Sequence, residues 1–237
     1  MGKKSKRREA TKAAVQPAAV LNKCHQCGKT DAQTDLSICS GCRLICFCSK
    51  DCQTKSWHDH RKKCKAAKAE AEANISPIWE AARYGRNKEL SKLLARYPAS
   101  INLHCPGILG GSTALEIACA EGRPETVKIL LDAGASVNIA DETFGQLPIH
   151  RAAESGSIKT AQMLLDHARD LDHGSEVVIG DGMGQHPLHF AAEHGRPEMI
   201  QFLLDNGAKP SLEVLYRNKT PRDWAVMMGH DDCAKLL

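Results

Sequence analysis

Leu188-His189-Phe190-Ala191-Ala192, followed by Gly195, Pro197, Ile200, the pair Leu203-Leu204 and then Gly207-Ala208, is the stretch from which the rest of the chain can be read. Its small residues suit a tightly packed helix, its first glycine suits a helix end, and its proline suits the first turn of a second helix. The Ala-x3-Gly word at its centre recurs as Ala81-Gly85, Ala118-Gly122, Ala152-Gly156, Ala191-Gly195 and Ala225-Gly229, with glycine intervals of 37, 34, 39 and 34 residues. Self-similarity at a period of about 33 residues is the mark of a solenoid. Ser112-Thr113-Ala114-Leu115 and Leu147-Pro148-Ile149-His150 open two further copies, so five repeats are readable, the first and last degraded.

The residue types agree with stacked helix pairs. Ala81, Ala118, Cys119, Ala152, Ala153, Ala191 and Ala192 let the first helix of each copy approach its neighbours closely, and Pro124 and Pro197 begin second helices where proline costs no hydrogen bond. Leu93/Leu94, Leu130/Leu131, Leu164/Leu165 and Leu203/Leu204 should build the shared interior. The words of residues 188–208 resemble an ankyrin repeat nearly throughout. That resemblance implies a nearest-neighbour stack with no catalytic pocket of its own. It also implies that His150 and His189, one repeat apart, knit turns by hydrogen bonds rather than hold a metal. Cys119 and Cys233 fall on buried positions of this pattern, and Cys105 is a loop thiol whose one basic neighbour is His104.

Upstream of the repeats the chain changes character. Cys24/Cys27, Cys39/Cys42, Cys48/Cys52 and His60/Cys64 are spaced C-x2-C, C-x2-C, C-x3-C and H-x3-C. Eight soft ligands fill two closed tetrahedral zinc sites, and a closed shell leaves no position for a reacting water. The large apolar side chains in this segment, chiefly Leu36, Ile38, Leu44, Ile45, Phe47 and Trp57, are too few to offset the ordering entropy of residues 24–64. Metal must hold it, and chelation should unfold it.

With Phe47-Cys48-Ser49, Cys52-Gln53, Trp57, His60 and Cys64 in this order, the segment resembles the MYND-type zinc finger along its whole length. The resemblance implies two zinc ions in a cross-brace, one on Cys24, Cys27, Cys48 and Cys52, the other on Cys39, Cys42, His60 and Cys64. Histidine stands seventh among the ligands, whereas RING and PHD fingers place it near the middle. Cys46, His25 and His58 are read as non-ligands. Gln53 and Trp57 lie four apart on a predicted short helix and so share a face. In MYND relatives these positions help form a shallow groove for short proline-rich peptides, which makes Gln53, Trp57 and Ser49 the peptide-contact candidates. Trp57 has a second reading, as the plug of a small core.

Composition bounds the rest. At 237 residues, 42% apolar and 25% charged, the chain has the make-up of a globular protein, and 4% aromatic content suits helical repeats better than a sandwich. Eight of the 11 cysteines fall before residue 65, mostly in metal-ligand pairs, which points to a reducing compartment. No apolar run approaches a membrane span and no hydrophobic stretch follows the basic start, so neither a membrane helix nor a secretory signal is expected. Formal charge is +9 over residues 1–74 and −5 over residues 75–237, together the chain's +4. Lys3, Lys4, Lys6, Arg7 and Arg8 could serve as a nuclear address or meet a polyanion. Asp170, Asp172, Glu176 and Asp181, within the lengthened connection of residues 167–184, read as an acidic tip that could meet a partner or as a solvated insertion. Residues 104–111 form a second insertion.

The expected architecture is mainly α: a basic disordered tail over residues 1–23, a cross-braced two-zinc finger over 24–64, a helical linker over 65–75, and about five ankyrin repeats forming an α-solenoid over 76–237. The expected function is a zinc-binding, intracellular adaptor, in the cytoplasm or the nucleus or both, with no enzymatic activity. Its finger would read a proline-containing peptide and its repeats would hold a second protein. The alternative is a nucleic-acid-associated transcriptional regulator using tail and finger. It is disfavoured because the sequence lacks the interleaved aromatics of RNA binders and the helix spacing of a C2H2 reader.

Overall fold

Each Ala-x3-Gly word becomes a pair of short helices joined by a tight turn. The pairs are α1 (Ile75–Arg83) with α2 (Asn87–Arg96), α3 (Ala114–Ala120) with α4 (Pro124–Asp132), α5 (Pro148–Ser155) with α6 (Ile158–Asp170), α7 (Pro187–Glu193) with α8 (Pro197–Asp205), and α9 (Pro221–Met228) with α10 (Asp231–Leu236). This computed structural model describes residues 75–105, 111–170, 179–211 and 218–237. Ahead of them it describes the strand residues 37–38 and 46–47 and the helical residues 51, 54–55, 57, 60–62, 64–66 and 69. The basic tail lies outside the described residues, as do most of the linker and residues 106–110 and 171–178 of the two insertions.

First helices pack on first helices and second on second, the main contacts of each described repeat being with its neighbours. The glycines that end the first helices, Gly85, Gly122, Gly156, Gly195 and Gly229, all have φ between 58° and 76°. At Gly195 the need is double: φ is +61°, and a Cβ there would lie 2.7 Å from the His230 ring of the next repeat. Pro124 and Pro197 open α4 and α8 as expected. One continuous core runs from Ile78 to Ala234, with Ile78, Leu90, Leu115, Leu130, Ile149, Leu164, Leu188 and Ile200 fully buried. Burial of each such side chain is worth about 1.5–3 kcal/mol. Of the leucine pairs, Leu93 and Leu204 are only partly buried, packing against this core from its edge.

Neighbouring repeats are also stitched by side chains that reach backbone carbonyls. His150 Nδ1 accepts the Leu147 N–H at 3.0 Å, so its proton sits on Nε2, which donates to Ile179 O, 3.1 Å away in the following repeat. His189 repeats the arrangement, accepting from His186 N–H and donating to Lys219 O at 3.2 Å. Stitches run backward too: Arg123 Nε donates to Arg83 O at 2.7 Å, Arg196 Nε to Glu154 O at 3.2 Å, and His230 Nε2 to Glu193 O at 3.0 Å. Each of these three follows directly on a helix-ending glycine, a register that the sequence displays but whose carbonyl partners it does not.

The acidic tip requires a correction. Asp170 ends α6, and Asp181 is buried, its Oδ1 accepting the Met183 and Gln185 N–H groups at 2.9 and 2.8 Å while Oδ2 receives Gln146 Nε2. Asp181 folds the hairpin ahead of α7 instead of facing solvent, because satisfied backbone donors make a buried carboxylate affordable.

Candidate functional site

Ser37–Ile38 forms β1 and Cys46–Phe47 forms β2, paired antiparallel with Ser37 opposite Phe47 and Ile38 opposite Cys46. The described residues from Asp51 to Ala66 have helical backbone. His60 and Cys64, four apart on this helix, share a face, and both are buried, at 5% and 7% exposure. An imidazole and a thiol held together out of water are donors of the kind zinc takes, so the two residues fit the metal expected here. Trp57, three residues before His60, sets its ring edge-on to the imidazole at 5.8 Å between centroids, yet remains 41% exposed. That exposure does not suit the plug of a core.

Cys24, Cys27, Cys39, Cys42, Cys48 and Cys52 lie outside the described residues, as do Ser49 and Gln53 and the excluded candidates His25 and His58. Among the described residues no three His, Cys, Asp or Glu side chains gather as a metal site, six of the eight expected ligands being outside them.

In the stack, the histidines that stood one repeat apart are structural. His150 is fully buried, and burial pulls its pKa down to about 4, so at neutral pH the ring is uncharged and fixed in one tautomer. Burial likewise pushes the Cys105, Cys119 and Cys233 thiols up, away from the thiolate. Cys105, though in a loop, packs against Trp79 and Ile117.

The surface formed by first helices and hairpins is mixed in character. Arg83 lies over the Trp79 and Tyr84 rings and pairs with Glu121 of the next repeat. Arg151 bridges Asp141 and Glu154, the latter shared with His194. Phe144 and Met183 stand exposed on successive hairpins, and the Gly182 N–H bonds the Phe144 carbonyl at 2.8 Å, tying one hairpin to the next. Met227 and Met228 are exposed on α9. A cleft of about 320 Å³ beside Gly85 and Gly122 is lined by groups already engaged, Thr126 with Asn87 and Arg123 with Arg83 O. The sequence pattern did not single out these hairpin contacts, although Phe144 and Met183, apolar residues inside turn-rich segments, were a visible signal.

Comparison with known proteins gives two family matches. A model of ankyrin repeats matches in overlapping segments from residue 46 to residue 237, and a model of the MYND finger matches residues 24–64. The chain is similar to Tudor domain-containing protein 1 of Oryzias latipes, 42% identical over 52 residues, which is 22% of this chain and 4% of that one. It is similar to Protein phosphatase 1 regulatory subunit 12A of Mus musculus, 39% identical over 67 residues, 28% of this chain and 6% of that one. Similarity to Ankyrin repeat and SOCS box protein 11 of Homo sapiens is 32% over 106 residues, 44% of this chain and 31% of that one. The chain thus spans less than a third of the length of each of these relatives. Both matched modules typically serve interaction rather than catalysis, and among the described residues no helix is long and apolar enough to cross a membrane.

Proposed function

Because the chain belongs to the ankyrin-repeat family and carries a MYND finger ahead of its stack, we propose that it is an intracellular, non-catalytic adaptor that holds two proteins at once. The finger takes a short proline-containing peptide against Trp57, Gln53 and Ser49, and the stack takes a second protein on the surface of its first helices and hairpins. The observation that carries this reading is the helix on which His60 and Cys64 are buried while Trp57 stays exposed. One side of the helix is committed to the metal, and a large aromatic at its margin is left to meet a ligand.

Zinc, when bound, supplies a fixed shape and no reacting water, since every ligand position is taken by protein. His60 and Cys64 would hold one of two ions together with Cys39 and Cys42, and Cys24, Cys27, Cys48 and Cys52 would hold the other.

Capture of partners by the full-length protein, compared with a Gln53→Ala/Trp57→Ala form, tests the proposal. Loss of the finger-dependent partners with zinc content unchanged is the expected result. Retention of every such partner would remove the peptide groove. Nucleic acid has no place in this reading, and an affinity for generic DNA or RNA that falls steeply with salt would count against it.

A further inference from the structure

One position recurs through the stack, two residues before the alanine of each Ala-x3-Gly word. It holds Trp79, Glu116, His150, His189 and Asp223 in the five repeats. At His150 and His189 it supplies the forward stitch to the next repeat, one ring nitrogen accepting a local N–H and the other donating onward. Glu116 makes the local half of the same arrangement: its Oε2 accepts the Thr113 N–H, and the Thr113 hydroxyl accepts the Glu116 N–H at 3.3 Å. Glu116 is fully buried, and its Oε1 has no partner among the described residues. A carboxylate cannot donate to a carbonyl, but a carboxylic acid can. With Oε2 already accepting, the acid's proton falls to Oε1.

The backward stitch is missing at the same joint. The residue after Gly122 is Arg123, after Gly195 Arg196 and after Gly229 His230, and each reaches the preceding repeat. After Gly156 stands Ser157, whose hydroxyl donates to Thr160 of its own repeat. The second and third repeats are joined instead by His104, which meets Ala140 O at 3.1 Å and Glu142 at 3.2 Å, and by an exposed Lys159–Glu125 pair.

We infer that Glu116 is the latch of a pH-sensitive joint between the second and third repeats: as the neutral acid it donates from Oε1 to a carbonyl of the third repeat, and as the carboxylate it loses that bond and leaves a buried charge.

Burial pushes the Glu116 carboxyl up to about 7, the bonds from Thr113 only partly offsetting it. The charged groups that act on it come from the third repeat, Asp141 opposing ionisation and Arg151 favouring it, and Arg151 is already engaged by Asp141 and Glu154. On its own helix the neighbour is the buried Cys119 thiol, itself raised in part by Glu116. From α1 the described side chains here are Trp79, uncharged, and Arg83, paired with Glu121. Asp223 is the internal control. It has the same cap, from Thr220, but among the described residues no further repeat is laid over α9, and its carboxyl is held below the ordinary range by those hydrogen bonds. The difference between the two acids is the repeat laid over one of them.

Because the folded value lies above the unfolded one, the stability that Glu116 contributes is complete at low pH and is lost as pH rises through about 7. The test uses the full-length protein and Glu116→Gln, whose amide accepts from Thr113 and donates onward at every pH. Between pH 5.5 and 8 the unfolding constant of the unsubstituted protein should rise relative to that of the Gln form by on the order of tenfold. Glu116→His, which installs the ring of the third and fourth repeats, should not show this rise: burial favours the neutral ring, as at His150, so its own step runs the other way, with stability lost as pH falls below the unfolded histidine value. Carbon-13 titration of the unsubstituted protein reads the Glu116 carboxyl directly and needs no variant to fold. A midpoint near 7 is expected. A midpoint below 5, or a difference from the Gln form that does not change between pH 5.5 and 8, would overturn the inference.

Discussion

Ile149 in the stack and Trp57 in the finger show two ways of ordering a chain. Ile149 is fully buried within a core that runs on through both neighbouring repeats, so its environment is built from apolar surface spread over the length of the stack. Trp57 is the largest apolar side chain of the finger and is 41% exposed. Burial of this side chain contributes little and the finger is expected to take its order from metal, whereas the stack takes its order from burial, with no metal-ligand group among its described residues. Stability is distributed in one region and concentrated in a few bonds in the other.

Zinc removal probes that difference with the largest effect. Each structural site is worth on the order of 10 kcal/mol of folding energy, so a chelator added to the full-length protein should unfold residues 24–64 outright. The helical circular dichroism of the stack and its melting transition should be left in place. If the two regions were instead lost together, the finger would be acting as a cap on the first repeat and the contrast would fail.

Truncation in the stack comes next. Ile149→Ala should cost about 2–5 kcal/mol, the usual price of a large-to-small change in a packed interior. Urea unfolding followed by circular dichroism measures it, and the zinc content of the same variant should be unchanged. A loss under about 1 kcal/mol would mean that the neighbouring helices close over the gap, and that the stack is less tightly packed than its fully buried side chains indicate.

The same contrast explains what could be read in advance. Helix ends and turns were legible because Ala118, Gly122 and Pro124 and their counterparts mark local backbone requirements that any copy must meet. The zinc ligands were legible as spacing, but their pairing rested on likeness to a family, since spacing alone does not say which pairs share an ion. Other features depended on partners a repeat away. Asp181 looked like a surface charge because sequence does not show which backbone donors will surround a carboxylate. Arg123, Arg196 and His230 donate to carbonyls 37 to 42 residues earlier, partners that the sequence does not display. Glu116 caps its helix together with Thr113, and its full burial is a feature that the sequence does not display.

Trp57→Ala carries the smallest expected change in stability and the sharpest separation of roles. Among the described residues the ring makes one edge-on contact, with His60, and such contacts are worth about 0.5–1.5 kcal/mol. Its exposure limits the burial that could be lost, and the His60 imidazole is also held by its place on the helix, one turn from Cys64. Zinc content and the chelator concentration that unfolds the finger should therefore shift little, by no more than about tenfold in apparent metal affinity. Peptide capture should disappear. A core plug would behave in the opposite way, releasing zinc along with the peptide, so measuring metal and peptide on the same variant decides whether this tryptophan belongs to the inside of the finger or to its partner.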